Sequence, residues 1–342
     1  MFKWVSNLLA TVTTLMSLKT TVEPESPGVV AEPEPSQTSK LGSSKLDTLL
    51  SCCLHDPKQE DLIYIPRFKH RLTLTKAWSI KPNQKILDIG CGQGESCLAV
   101  ALDLGPSGHV IGIDTAEPDY GTPFSIQKSQ DFVTKSILGE RISFMQTDTV
   151  SLLEKPDYPR FDAATLCHSL WYFSTRESVI ALFQSLATAR ISRIYLAEYS
   201  FRASEPSQIP HVLACQALAL FNLYKTPAPT TDHDSHPYNV RAAPDQAAIL
   251  AAAKKAGFEV RRQGVILPDV SMLEGHFEAR HIKGERFRAR VQEEKFPKEQ
   301  EEQILAFQPR VREEMEKLER EGIPTVRAMD VWWAELELEL GN

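Results

Sequence analysis

Short apolar runs alternate with helical patterns through the middle of the chain. Runs of strand length stand at 85–90, 109–114, 141–148, 161–169 and 193–200. Helical patterns occupy 60–82 before the first run and 94–104, 124–138 and 175–189 between later ones. Apolar strands that alternate with helices predict a parallel sheet covered on both faces.

The alternation changes after the fifth strand. A strongly apolar helical pattern at 205–224 is followed by a proline-rich stretch at 225–244. The remaining patterns predict a helix, a sixth strand, a charged helix and a last strand, at 247–258, 258–267, 296–321 and 329–338. The strand count is therefore seven.

The first 46 residues differ in composition from the rest. Residues 22–45 are rich in Pro, Ser and Glu, which favours a disordered linker because such a segment buries too little apolar surface. We therefore predict an N-terminal helix or tail at 1–20, a linker at 21–46 and one domain at 47–342. Polar residues interrupt residues 1–18, so no stable membrane span is expected. A cytoplasmic protein is predicted, with surface anchoring through 1–18 as the alternative.

Composition and charge limit the classes of ligand that the chain is expected to bind. The chain has 342 residues, is 42% hydrophobic and carries a net charge of −7. An acidic chain without a basic patch is a poor candidate for binding nucleic acid. The six cysteines form no CxxC pair, so a zinc ribbon is not indicated and reduced, buried thiols are expected.

A glycine-rich turn is the sharpest chemical signal. Asp88-Ile-Gly90-Cys-Gly92-Gln-Gly94-Glu95 follows the first strand and opens a helix. Glycines there allow close approach of a ligand to the backbone. A dinucleotide fingerprint would need a small residue where Glu95 stands, and a glutamate would repel a pyrophosphate. The turn and Asp88 instead suit a ligand with no phosphates and a cationic amino-acid end.

Acids also stand at the ends of the next two strands. Asp114 ends the second strand, where a carboxylate can accept hydrogen bonds from both ribose hydroxyls. Thr147 and Asp148 end the third strand and are placed to accept from an adenine amino group. The order of the three strand ends therefore predicts a site for an adenosine-containing ligand.

These segments carry a family resemblance. ILDIGCGQG, VIGID and QTD resemble the class I S-adenosylmethionine (AdoMet)-dependent methyltransferases over about residues 60–200. RFKHRLTLTKAW, DYGTPF and HSLWYF look like fungal small-molecule methyltransferases of specialised metabolism. The resemblance implies an α/β, Rossmann-like seven-stranded sheet with the last strand antiparallel, helices on both faces and AdoMet at the carboxyl ends of the strands.

The resemblance also implies the cofactor contacts and a cap, whereas a second insertion departs from the minimal fold. An insertion at about 203–246 would cap the site, and a charged helical insertion at about 270–325 could cover it, form a homodimer, or do neither. The implied AdoMet-binding residues are Asp88, Gly90, Cys91, Gly92, Gly94, Asp114, Thr115, Thr147, Asp148 and Cys167.

The carboxyl end of the fourth strand supplies the catalytic candidate. His168 lies there and titrates near neutral pH, which suits a general base. Positioning of the substrate and a purely structural role remain open. Candidate substrate residues are Arg67 and His70 on the helix before the first strand, beside Tyr64, and Trp171, Tyr172 and Glu198 after later strands. Core packing is the alternative for Trp171 and Tyr172, and a solvated helix face is the alternative for Arg67 and His70.

A proline-rich loop holds four further polar residues. Asp232, His233, Asp234 and His236 have no regular ligand spacing, so no metal site is predicted. Asn239 and Arg241 follow in NVR and could bind an acidic substrate group.

The leading functional prediction is an AdoMet-dependent methyltransferase acting on a small organic acceptor, with oxygen as the first choice of acceptor atom. An AdoMet-binding scaffold without methyl transfer and a protein methyltransferase are the alternatives. The fourth strand is followed by His168-Ser-Leu-Trp171 rather than D/N-P-P-Y/F, which disfavours amino methylation of nucleic-acid bases.

Overall fold

The computed structural model describes residues 44–225 and 240–339. The predicted tail at 1–20 and the linker up to residue 43 lie outside the described residues. Helix α1 (Lys45–Cys52) begins inside the last residues of the predicted linker. Ser44 and Asp47 form a capping box at its start, which satisfies backbone donors that a disordered linker would leave to water. This helix therefore begins before residue 47, where the predicted domain starts.

Seven strands form one sheet. They are β1 (Lys85–Ile89), β2 (His109–Asp114), β3 (Ile142–Gln146), β4 (Ala163–Cys167), β5 (Arg193–Tyr199), β6 (Phe258–Ile266) and β7 (Val331–Leu338). Their order is β3-β2-β1-β4-β5-β7-β6, with β7 antiparallel to both of its neighbours. The predicted fold class is confirmed.

Helices of the central part cover both faces of the sheet. On one face, α1, α2 (Ile65–Trp78), α3 (Glu95–Leu104) and α4 (Ile126–Thr134) bury one apolar cluster. On the other face, α5 (Thr149–Leu153), α6 (Arg176–Thr188) and α8 (Gln246–Lys255) bury a second cluster. A short π-helix at Glu60–Tyr64 precedes α2. This double covering explains why the strands read as nearly continuous apolar runs.

The insertions build a third cluster beside the sheet. It joins α7 (Ile209–Tyr224), α9 (Glu274–Lys283), α10 (Glu285–Glu293), α11 (Lys298–Leu305) and α12 (Phe307–Arg320). The single helix predicted at 296–321 is wrong, because the chain forms α11 and α12 there. Pro309 lacks an N–H and its ring would clash in a continuous helix, whereas the first turn of α12 accommodates it.

In the part of the chain that the structure describes, no helix combines the length and apolarity needed to cross a membrane.

Candidate active site

The glycine-rich turn connects β1 to α3 with three left-handed residues. Gly90, Gly92 and Gly94 have φ values of 73°, 52° and 94°. A Cβ at Gly94 would lie 2.8 Å from the Phe144 ring, so a side chain there would clash. A Cβ at Gly92 would meet no atom of the described chain within 4 Å. Gly92 therefore presents bare backbone to an open space, as a ligand cradle requires.

Asp114 closes this turn against the end of β2. Its carboxylate accepts hydrogen bonds from the backbone N–H groups of Gly92, at 2.8 Å, and Ala116, at 2.9 Å. The N–H of Thr147 donates to the carbonyl of Asp114 at 3.0 Å, and the exposed Thr115 follows directly. The structure thus brings together Asp114, Thr115 and Thr147, three of the predicted cofactor residues.

Asp88 lies inside the fold rather than on the open side of the turn. Its carboxylate accepts from Ser96 Oγ at 2.5 Å, Thr165 Oγ1 at 2.7 Å and Cys97 Sγ at 3.0 Å. Burial raises the pKa of this carboxyl, and the three hydrogen bonds oppose the rise. Asp88 braces β1 against α3 and β4, and its contact with a cofactor stays a prediction.

Asp148 begins helix α5. Its carboxylate accepts from the backbone N–H of Ser151 at 2.9 Å and from Ser151 Oγ at 2.5 Å. Partial burial acts to raise the pKa of Asp148, but the hydrogen bonds have the larger effect and hold this pKa below its ordinary value. This N-cap explains the residue without a ligand, so its adenine contact also stays a prediction.

The cysteines are free and buried, as expected. All six lie in the described part and none forms a disulfide. Cys91 lies within the glycine-rich turn, and Cys167 is the last residue of β4, directly before His168.

His168 and His70 meet at the carboxyl end of β4. The backbone of His168 is left-handed, with φ 55°, and its N–H donates to the carbonyl of Ala197 at 2.9 Å. This turn directs the ring toward α2, where its Nε2 lies 2.9 Å from Nε2 of His70. On the other side, His168 Nδ1 lies 3.5 Å from Glu198 Oε1. Helix α2 and the carboxyl ends of β4 and β5 therefore meet at the His168 ring.

Burial sets the protonation of this group. It lowers the pKa of His168 to about 3, with a further contribution from Arg71, and holds the pKa of His70 well below its ordinary value. Burial also raises the pKa of Glu198 to about 8. At neutral pH both rings are therefore neutral, one donating to the other, and Glu198 mostly keeps its proton.

Aromatic rings surround the histidines. Tyr199 lies 4.8 Å from the His168 ring centroid, and Trp171 stacks on Phe201 at 4.6 Å. Trp171 is only 4% exposed and belongs to the cluster formed by the insertions, whereas Tyr172 is 44% exposed. Of these two predicted substrate residues, Trp171 fixes the insertion to the site and Tyr172 is the one open to a ligand.

A buried charge network joins α2, α3 and α9. Arg67 Nε donates to Glu274 at 2.9 Å, and Glu95 lies 2.6 Å from Arg71 and 3.6 Å from Arg67. Arg67 and His70 are 8% and 5% exposed, so the alternative of a solvated helix face is wrong for both. Sequence reasoning considered Glu95 only as an obstacle to a pyrophosphate and missed Arg71 and Glu274.

The structure also contains a group that sequence reasoning missed entirely. His211, Cys215 and Glu278 form the one cluster of three metal-ligand types among the described residues. The N–H of Met329 donates to His211 Nδ1 at 2.7 Å, so Nε2 carries the ring proton. The Nε2–H of His211 and the thiol of Cys215 both donate hydrogen bonds to Glu278 Oε2, at 2.7 Å and 2.8 Å. The geometry suits a hydrogen-bonded triad rather than a metal site. Asp232, His233, Asp234, His236 and Asn239 lie outside the described residues.

Known proteins with similar sequences decide the family. The family model described as "Methyltransferase domain" matches residues 80–211. Methyltransferase phomM' of Diaporthe leptostromiformis is 41% identical, over 85% of this chain and 89% of that protein. Methyltransferase phomM of the same organism is 40% identical with the same coverage. The chain belongs to the class I AdoMet-dependent methyltransferases.

A solved structure has the fold of this methyltransferase. The cyclopropane-fatty-acyl-phospholipid synthase-like protein from Lactobacillus casei ATCC 334 aligns with a TM-score of 0.72 and 24% identity. The alignment covers 86% of the methyltransferase described here and 99% of the bacterial protein. The alignment thus extends well beyond the residues that the family model matches.

Proposed function

We propose that this methyltransferase transfers a methyl group from AdoMet to a small organic acceptor in the space between the glycine-rich turn and His168. The observation that carries the proposal is the convergence of four strand ends. They bring the turn, Asp114, His168 and Glu198 to one edge of the sheet. In open α/β sheets, ligands bind at that edge where the strand order reverses.

The turn has the features that AdoMet requires. The open space beside the Cα of Gly92 leaves room for the amino-acid end, and Asp114 lies beside it to accept from ribose hydroxyls. Hydrogen bonds to a charged acceptor contribute about 1.5–3 kcal/mol each. AdoMet supplies the electrophilic methyl group, so the chain's own residues have to orient the acceptor and receive its proton.

We infer that His168 receives this proton. Its Nε2 is bonded to His70, so the acceptor atom has to replace His70 as the partner of that nitrogen. Glu198 Oε1 lies 3.5 Å behind Nδ1, where it can approach the Nδ1–H once the ring gains a second proton. General-base help of this kind contributes about 10²–10⁴-fold to the rate. The proposal keeps the sequence-based expectations of oxygen as acceptor, of specialised metabolism and of a cytoplasmic location.

One observation favours nitrogen as a second candidate for the acceptor atom. Burial holds the pKa of His168 at about 3, which makes it a weak base toward a hydroxyl. A methylated ammonium loses its proton more readily than a hydroxyl does. The carboxylate of Glu278, whose side chain is 28% exposed and which accepts from His211 and Cys215, adds negative charge beside the aromatic rings of the site.

Calorimetry and labelled methyl transfer test the proposal. Purified protein should bind AdoMet in the micromolar range and label at least one component of a fungal metabolite extract. Asp114→Ala should weaken AdoMet binding at least tenfold. Asp131→Ala, on the exposed face of α4, is the matched control and should leave it unchanged. Folded protein that binds no AdoMet would refute the proposed function. Binding without any transfer would favour the scaffold alternative, and transfer to protein substrates alone would favour a protein methyltransferase.

A further inference from the structure

Arg241 is fixed to the loop that follows His168. Its backbone N–H donates to the carbonyl of Trp171 at 2.8 Å, and the next N–H, of Ala242, donates to Phe173 at 2.9 Å. The preceding residue, Val240, is buried in the cluster of the insertions, and Asn222 donates to its carbonyl. The backbone at Arg241 therefore has a defined place beside the proposed acceptor site.

The guanidinium of Arg241 lacks an acidic partner among the described residues. Its Nε is buried and makes no hydrogen bond there, and Arg241 takes part in none of the ion pairs found in 44–225 and 240–339. Arg241 is half-buried, and a partly desolvated cation without a counter-charge is unfavourable unless a ligand completes the pair. The burial also lowers the pKa of Arg241, which the phenols of Tyr120 and Tyr172 partly offset.

The surroundings select one kind of ligand. Tyr120 and Tyr172 are 42% and 44% exposed, so the phenols near the guanidinium can also be reached from outside. A planar guanidinium matches a carboxylate through two parallel hydrogen bonds. A phosphate carries more charge and is usually met by several cations, whereas Arg241 is a single one.

We propose that Arg241 binds a carboxylate of the methyl acceptor, so that this enzyme selects organic acids as substrates. The proposal rests on the proposed methyltransferase function and adds the substrate class. The methionine carboxylate of AdoMet has the same chemistry and is the other source of such a group. The acceptor is favoured because Arg241 is bonded to the Trp171–Phe173 segment and not to the glycine-rich turn.

Pairs of acids and amides provide the test. Phenylacetate, indole-3-acetate and N-acetylphenylalanine would each be titrated against the full-length protein saturated with S-adenosylhomocysteine, beside the corresponding primary amide. Calorimetry would give the dissociation constants. We expect at least one acid to bind ten times more tightly than its amide. Arg241→Gln should abolish that preference, and Arg241→Lys should keep part of it. Arg160→Gln, at an exposed arginine before β4, is the matched control.

AdoMet affinity, measured separately for each variant, distinguishes this proposal from the proposed function. We expect Arg241→Gln to bind AdoMet within twofold of the wild type, with an unchanged melting temperature. Equal binding of acids and amides by the wild type would overturn the acid selectivity. A tenfold loss of AdoMet affinity in Arg241→Gln would assign the carboxylate to the cofactor and overturn it as well. Wild-type protein that binds no AdoMet would refute the proposed function instead.

Discussion

Nε2 of His70 and Nε2 of His168 lie 2.9 Å apart, although 98 residues separate them in the sequence. The contact joins helix α2, which precedes the whole sheet, to the carboxyl end of β4. Burial keeps both rings neutral, so the pair needs no counter-charge. Either Nε2 can donate the shared hydrogen bond, depending on which ring carries its proton there. A substrate atom that replaces His70 would meet a histidine whose other ring nitrogen, Nδ1, lies 3.5 Å from Glu198 Oε1.

Removal of the His168 ring should affect turnover more than cofactor binding. We expect His168→Ala to lower kcat by about 10²–10⁴-fold, because general-base help contributes that much. AdoMet affinity should change less than threefold, since the glycine-rich turn and Asp114 remain. The matched control is His109→Ala, whose ring contacts Ser143 at the opposite end of the sheet. A kcat equal to that of the wild type would exclude His168 as the base.

Glu198 should make the free energy of unfolding depend on pH. Its pKa is raised from about 4.5 to about 8 in the folded protein, so the folded chain keeps a proton that the unfolded chain loses. This contribution is fully present below pH 4.5 and is lost as the pH rises through 8. Glu198→Gln removes it. In denaturant titrations, the free energy of unfolding of the wild type should therefore fall relative to that of the variant as the pH rises from 4.5 to 8. The difference should change by at most about 1.4 kcal/mol per pH unit. Parallel stability curves would contradict the raised pKa.

Two glycines of the same turn should respond differently to alanine. Gly92→Ala places its Cβ in open space and holds an alanine at φ 52°, so the protein should fold with a loss of about 1–2 kcal/mol while AdoMet affinity falls at least tenfold. Gly94→Ala places its Cβ 2.8 Å from the Phe144 ring and forces an alanine to φ 94°. This variant should therefore lose more stability than Gly92→Ala. Melting temperatures and AdoMet calorimetry separate the two effects. Equal AdoMet affinity in Gly92→Ala and the wild type would show that the ligand does not approach this backbone.

The charge network around Glu95 should contribute strongly to stability. Glu95→Gln leaves Arg67 and Arg71 buried with one counter-charge fewer, and breaking a buried pair costs about 3–5 kcal/mol. The matched control is Asp103→Asn, which breaks the pair with Lys45, a side chain that is 64% exposed. Such surface pairs contribute about 0–1 kcal/mol. Similar losses in the two variants, measured by urea unfolding, would contradict the role of burial.

The features that can be predicted from the sequence are those encoded by short stretches of neighbouring residues. The glycine-rich turn, Asp114 and the strands around them follow from patterns a few residues long, because a strand and its turn are encoded together. The network of Arg67 and Glu274 joins residues 207 positions apart, and no local pattern reports which helix faces which. His211 looks like one more residue of an apolar helix until Met329 and Glu278 are brought beside it. Helices α9 and α10 were not separately predicted, because only their sparse apolar positions are buried and charged residues dominate their sequences.

The position of β7 between β5 and β6 has a consequence for synthesis. Within the described sheet, β6 pairs only with β7, so both β6 and one edge of β5 stay without backbone partners until residues 331–338 have emerged from the ribosome. The inserted helices must gather in the meantime beside an incomplete sheet. Chains stopped before Val331 would expose two adjacent strand edges, and such edges pair readily with other chains. Premature termination late in translation would therefore yield an aggregating product rather than a slightly shortened enzyme.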